Sequence, residues 1–386
     1  MGFLKEIRIL IVLLVLSGIG HAATPPSQPP EGPGSSGDAT IQVLKRTLGE
    51  EGAVTYAFFT ADSSRLKPVV VFFHPWGLND PQAYGTWFNQ LARRGYLVLF
   101  PRYQEMRVTE TTQTTQRARE LIRRALMELK SEPALMIDTS RVAYIGHLAG
   151  AVVAVNLAAD SANKVQPQLI FGLMPGGIAR DAKSTGIPLA DLSEVSALTS
   201  VVMMSADRAS TATDRTAKQI LHHTMQVSYD RKLYIKVFSD AHGYPTLSAT
   251  LMSPGAPNSH YAPDMLEKPA AKVTEEEEIA APAGKGKKGN RQKKGRKRIP
   301  PPPPASQVSG EQAMLAKQIF SNRVDPLDYY AYWKTFEMLA NMAFAGGELA
   351  LLQNDPEFVG MGIWSDGFPV KRLRVEVLEP PKLTEK

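Results

Sequence analysis

The chain has 386 residues, 43% of them hydrophobic and 21% charged, which is enough apolar material for one large core or two modest ones and excludes disorder throughout. Cysteine is absent, which excludes a disulfide framework or a thiolate metal site, so stability must come from the core. The formal charge of +6 belongs to a single tract: nine Lys and Arg residues lie between Lys285 and Arg298, and the rest of the chain is net acidic, which excludes a basic folded body.

The N-terminus carries Lys5 and Arg8, then an apolar run from Ile9 to Leu16 that extends to Ile19, then small residues at Gly20, Ala22 and Ala23. That run is shorter than the roughly 20 residues a bilayer crossing needs, so residues 1–22 read as a secretory signal peptide and the protein as exported, periplasmic or secreted; an uncleaved anchor is the alternative. Glu6 stands where a myristoylation motif wants Ser or Thr. Residues 23–38, rich in Pro, Gly and Ser, read as a flexible linker.

From Ala39 onward short apolar runs alternate with helical patterns, as in a mostly parallel sheet with crossover helices. After an antiparallel pair over Thr40 to Phe59, the runs are Pro68 to Phe73, Tyr96 to Phe100, Arg141 to Gly146, Gln168 to Met174, Thr199 to Ser205 and Leu233 to Phe238, each nearly all apolar as a strand covered on both faces should be. Between them, Tyr84, Trp87, Phe88 and Leu91 form one helical stripe, and Ala118, Leu121, Ile122, Ala125, Leu126 and Leu129 another. A core stripe is the whole explanation of these aromatics. Residues 253–310 turn Pro-rich, acidic at Glu275 to Glu278, basic, and Pro-rich again from Pro300 to Pro304; such a composition cannot offset its ordering entropy and reads as a disordered insertion. Order resumes over 311–378, with an aromatic helix marked by Leu327, Tyr330, Trp333, Phe336 and Leu339 and an edge strand over Val370 to Val377. The insertion is thus a loop thrown out of one domain, whose first part is 39–252.

The informative segment is Arg141-Val-Ala-Tyr-Ile-Gly146-His147-Leu148-Ala149-Gly150, a strand running into a small-residue helix. Gly146, Ala149, Gly150 and Ala151 leave room for a sharp strand-to-helix turn at Leu148. This resembles the nucleophile elbow G-x-S-x-G of the α/β-hydrolases in every place except the Ser. His74-Pro75-Trp76-Gly77 follows a strand where that family builds half of its oxyanion hole; Pro75 has no N–H, so the resemblance gives the donors as the backbone N–H groups of Trp76 and Ala149. Asp207 and His242 follow later strands in the family's order of nucleophile, acid and histidine. Asp214 is the rival acid and reads otherwise as a helix N-terminal residue; His260 is the rival histidine. Phe100-Pro-Arg-Tyr-Gln and Gly362-Ile-Trp-Ser-Asp-Gly look like segments of bacterial lipase- and esterase-like members. The resemblance implies an α/β-hydrolase fold, a mostly parallel central sheet flanked by helices.

Leu148 at the nucleophile position has no lone pair and no proton to surrender, so no acyl-enzyme can form on it. Three functions are open: on the warrant of Leu148, a pseudo-enzyme relative of serine esterases that binds a small ester-like ligand or a protein partner in the old cleft; on the retained His, Asp and oxyanion loop, an active carboxylic-ester hydrolase using another nucleophile or an activated water; or, on the basic insertion alone, an envelope-tethering module. In the last, Lys285 to Arg298 would hold an anionic polymer, and export favours envelope material over nucleic acid. His147 reads as a packing residue. The adjacent His222 and His223 do not face one another on a helix and make no metal site, and no cofactor is expected.

Overall fold

The computed structural model describes residues 22–50, 52–104, 110–181, 186–266 and 310–378. The expected signal peptide, save its last residue, and most of the insertion, including the basic tract, lie outside the described residues. Among the described residues no helix is long and apolar enough to cross a membrane.

Nine strands form one sheet in the order β1-β2-β4-β3-β5-β6-β7-β8-β9. They are β1 (Val43–Leu48), β2 (Thr55–Thr60), β3 (Asp62–Phe73), β4 (Leu97–Pro101), β5 (Leu135–His147), β6 (Leu169–Leu173), β7 (Ser200–Ala206), β8 (Lys232–Val237) and β9 (Arg374–Val377). From β4 through β8 every pairing is parallel, whereas β1–β2, β2–β4 and β8–β9 are antiparallel. The apolar runs become the inner strands because each must bury both faces. Along β3, Val70 and Phe72 enter one core while Val69, Val71 and Phe73 enter the other.

The first core takes α1 (Gly85–Arg93) through Trp87, Phe88 and Leu91, together with α6 (Lys334–Phe344) through Phe336 and Leu339. The second takes α2 (Thr114–Leu129), α3 (Ala149–Ala159) and α4 (Thr211–His223). Burying each such Phe or Leu side chain contributes about 1.5–3 kcal/mol. Helix α3 is buried from Ala149 to Ala158, which requires the apolar composition it has on all sides. The remaining helices are α5 (Gly310–Ser321) and the single turn α7 (Pro356–Val359). The aromatic helix starts as a π-helix over Leu327–Trp333 and continues as α6. Of the expected last strand only β9 pairs, antiparallel to β8 at the sheet edge.

Two stretches read as mobile are packed. The expected linker is a strap: Ala23 O accepts from Tyr244 N, Thr24 and Ser365 exchange two hydrogen bonds, and Tyr329 Oη donates to Pro26 O. Ser35 is buried, and its carbonyl accepts from Gln90 Nε2. Proline and glycine leave carbonyls free to accept, so a segment without regular structure is held by side chains of the body. The beginning of the expected insertion, up to Leu266, also belongs to the body, with Tyr261 buried against Phe58 and Trp87 Nε1 donating to Pro254 O.

Candidate active site

Strand β5 ends at His147, helix α3 begins at Ala149, and Leu148 makes the turn between them at φ 51°, ψ −117°. A residue with a Cβ is strained there, and Leu148 is one of two non-glycine residues at positive φ among the described residues; the other is Met174 at φ 49°, just beyond the neighbouring strand β6. The turn is pinned by Leu148 N donating to Leu173 O at 2.9 Å and Leu148 O accepting from Ala151 N at 3.1 Å. The flanking glycines are required by contact: a Cβ on Gly146 would meet Ala151 Cα at 2.5 Å, and one on Gly150 would meet Phe73 O at 2.1 Å. Close approach of α3 to β3 and β5 therefore sets the small residues of this motif.

His147, at the end of β5, is fully buried. Its Nδ1 lies 2.7 Å from Tyr84 Oη and its Nε2 2.7 Å from Leu251 O. The carbonyl can only accept, so Nε2 carries the proton and Tyr84 donates to Nδ1. Burial lowers the His147 pKa to about 4, which keeps the ring neutral; it is a bridge between α1's entry and the Leu251 loop.

The loop after β3 lies beside the elbow, at the parallel partner of β5. His74 is buried, stacks on Tyr103 at 4.2 Å between ring centroids, and donates from Nδ1 to Pro75 O at 2.8 Å. Burial lowers its pKa to about 4. Gly77, at φ 85°, donates its N–H to Gln104 Oε1 at 2.6 Å, which ties this loop to the segment after β4. Among the described residues the N–H of Trp76 has no acceptor, and that of Ala149 is one of the four at the start of α3 that the helix leaves unpaired. Both donors that the sequence resemblance named are thus without backbone partners.

Asp207 and His242 do not form a pair. Asp207 Oδ1 accepts from Ser239 Oγ at 2.7 Å, and Ser239 Oγ in turn accepts from Ala249 N at 3.0 Å. His242 Nε2 instead lies 2.7 Å from Asp366 Oδ2, and its ring packs on Phe368 at 4.8 Å. The bond from His242 holds the Asp366 carboxyl below the usual carboxylate range. Asp240 orients this loop, accepting from His242 N at 2.9 Å and from Lys371 N at 2.9 Å. Asp366 was missed because 124 positions separate it from His242; the polar Ser365-Asp366-Gly367 tip after Trp364 was the available signal.

The rival acid Asp214 sits at the start of α4 and is engaged elsewhere. Lys236 Nζ is 2.8 Å from both of its oxygens, and Ser205 and Tyr234 donate to Oδ1. Burial acts to raise its pKa, but these bonds outweigh it and hold the carboxyl below the usual range. His260 is exposed and ordered, its carbonyl accepting from Lys45 Nζ at 2.6 Å. His222 and His223 are exposed at the end of α4, and among the described residues no group of three or more His and acidic side chains is placed to hold a metal ion.

The sheet order, the parallel strands β4 to β8 and the strained turn between β5 and α3 define an α/β-hydrolase fold. No protein-family model matches the chain, and no curated protein does. Solved structures that it is similar to include an α/β-hydrolase enzyme from a Medee basin deep-sea metagenome library, at 18% identity and a TM-score of 0.40, with 53% of this chain and 84% of that one covered. Another is a carboxyl esterase from the mycorrhizal fungus Tuber melanosporum, at 15% identity and a TM-score of 0.40, with 52% and 79% covered. A third is from the study of two Rhizomucor miehei fungal esterases, at 11% identity and a TM-score of 0.40, with 51% and 74% covered.

Proposed function

We propose that this protein binds a small ester-like molecule in the cleft above Leu148 without cleaving it, as a non-hydrolytic relative of serine esterases, and that it does so after export. The observation that supports this reading is Leu148 itself: a side chain with no nucleophilic atom stands at φ 51° at the head of α3. The partners of His242 and Asp207 add to it, because His242 Nε2 is taken by Asp366 and Asp207 by Ser239, so the histidine–Asp207 pair that the sequence resemblance implied is not formed. The N–H groups of Trp76 and Ala149 would orient the ligand's carbonyl oxygen, as preorganised donors do without any bond being broken. Loss of the nucleophile alone costs on the order of a millionfold in enzymes of this mechanism.

A fluorophosphonate probe tests the reading on the purified protein. No labelling, together with no turnover of short- or long-chain acyl esters, is expected; covalent labelling of the native chain would overturn it.

One observation favours a second reading, in which His242 and Asp366 activate a water to hydrolyse a carboxylic ester. The pair is partly exposed, at 33% and 42% of its side-chain surface, and so open to solvent and substrate. This reading requires ester turnover that disappears in His242→Ala.

A further inference from the structure

Gln90 on α1 and Glu337 on α6 face each other across the gap between these two helices, with Gln90 Nε2 3.4 Å from Glu337 Oε1. The strap roofs that gap. The same Gln90 amide donates to Ser35 O, the Gly34 N–H is directed to the Glu337 carboxyl, and both Gly34 and Ser35 are buried. The fit is tight: a Cβ on Gly34 would meet Tyr329 O at 2.2 Å and Lys334 Cβ, one turn before Glu337, at 3.0 Å. The Glu337 side chain is left 3% exposed.

A carboxylate so enclosed loses the water that solvates its charge. Burial raises the Glu337 pKa to about 7, although Arg94 Nε at 3.0 Å from Oε2, Gln90 and the Gly34 N–H all favour the ionised form. The titratable groups around it lie outside this range. Burial raises the pKa of Tyr96, just before β4, and lowers that of Lys334 to about 8, while the Lys334 ammonium is committed to Glu357 O and Gly360 O. Residues 33–37 of the strap, Pro-Gly-Ser-Ser-Gly, carry no charge. Once they are lifted, the carboxyl meets water and returns toward its ordinary value of 4.5.

We propose that residues 33–37 form a latch that lies closed over Glu337 while its carboxyl holds a proton and lifts from α1 and α6 as that carboxyl ionises. The closed latch binds a proton that the lifted one releases, so closure is strongest below about pH 4.5 and weakens as pH rises to about 7. These residues have no regular structure, and a segment of that kind opens without the core. Earlier in the strap, Thr24 bonds with Ser365, beside Asp366, and Tyr329 and Tyr330 donate to Pro26 O and Ser27 O. Lifting the latch would therefore slacken the segment that braces the His242–Asp366 hairpin. This inference goes beyond the proposed binding cleft and stands without it.

The chain has no cysteine, so Ser36→Cys, at an exposed position of the latch, takes a single spin label in the full-length protein. The mobile fraction of the label is expected to rise between about pH 5 and about pH 8, as the closure constant falls by on the order of 100-fold. Adding Glu337→Gln, which keeps the group neutral and leaves Asp325 and Asp328 in place, should hold the label at its acid mobility throughout. Adding Arg94→Gln instead, which removes the cation that favours the ionised form, should enlarge the rise. A label in the labelled parent whose mobility does not change over this range would overturn the proposal. So would a rise that Glu337→Gln leaves unaltered; should that variant not fold, a rise that Arg94→Gln leaves unaltered overturns it equally.

Discussion

His242 Nε2 and Asp366 Oδ2 lie 2.7 Å apart, although one residue follows β8 and the other precedes β9 on the far side of the long insertion. Asp207, the acid that chain order assigns to this histidine, is bonded to Ser239 instead. A double-mutant cycle on melting temperature separates the two arrangements. His242→Ala and Asp366→Asn should combine non-additively, whereas His242→Ala and Asp207→Asn should add. Additivity in the first cycle would contradict the pairing.

The strain at Leu148 predicts an unusual ranking of small substitutions. Leu148→Ala keeps a Cβ at positive φ and loses packing, whereas Leu148→Gly loses the same packing and relieves the backbone. The glycine variant should therefore be more stable than the alanine variant by about 1–2 kcal/mol. Thermal melts check this, and an alanine variant equal to the glycine variant would mean that the turn has relaxed in solution.

The neutral His147 bridge predicts a loss of stability in acid. Its pKa in the fold is about 4 against an ordinary 6.5, so the unfolded chain binds the extra proton in between. Stability falls as pH drops from about 6.5 to about 4, by up to about 3 kcal/mol from this one ring. His147→Gln should reduce that slope, and Tyr84→Phe, which removes one donor, should cost about 1–2 kcal/mol at neutral pH. Melting curves across this range provide the measurement.

Asp325 and Asp328 predict the opposite slope. They cap the helix that starts at Leu327: Asp325 Oδ1 accepts from Leu327 N at 2.7 Å, and Asp328 Oδ2 from Asp325 N at 2.9 Å. Burial raises the pKa of Asp325 to about 6, and burial, with the Asp325 charge beside it, holds that of buried Asp328 well above the usual carboxylate range. The fold keeps protons that the unfolded chain releases near 3.8, so this contribution is present below that pH and is lost as pH rises through about 6. Asp328→Asn should lose less stability than the parent as pH rises from about 4 through about 6. Equal losses would place the titration elsewhere.

Gly243→Ala predicts a local release. The added methyl would meet Ala23 O at 2.0 Å and Trp364 Cε3 at 2.6 Å, and the strap's carbonyl is the partner with somewhere to go. Limited proteolysis should cut within residues 22–38 in the variant and not in the parent.

Most of the sheet was legible because it depends on a local property. Each inner strand must be apolar on both faces, and the six runs read from Pro68 to Phe238 fall on β3 to β8 to within one or two residues at most ends. The extensions were not legible: Asp62–Lys67 of β3 and Leu135–Asp138 of β5 pair with each other through an irregular register in which apolar Leu66 and Met136 lie exposed and the polar Lys67 and Asp138 lie buried, so apolarity does not track the pairing. The elbow was legible because glycine spacing reports close backbone approach. The acid of the candidate site was not, because nothing local distinguishes Asp366 from Asp207; only the packing of Trp364 and Lys371 on Asp240 brings the distant hairpin to His242. The strap deceived for a related reason: Pro and Gly also compose a segment that is ordered from outside, by Tyr329, Tyr244 and Gln90.

Asn322 Nδ2 donates to Met252 O at 2.7 Å and to Gly255 O at 3.0 Å, and Ile319 packs where a Cβ on Gly255 would reach it at 2.8 Å. The two banks of the interrupted chain are thereby welded together within the body, ahead of Leu266 and behind Gly310. Closing a longer or shorter span between fixed ends changes the free energy only logarithmically, by about 0.6 kcal/mol per doubling. With both ends held in this way, a foreign domain spliced between Leu266 and Gly310 should leave the scaffold's melting behaviour nearly untouched.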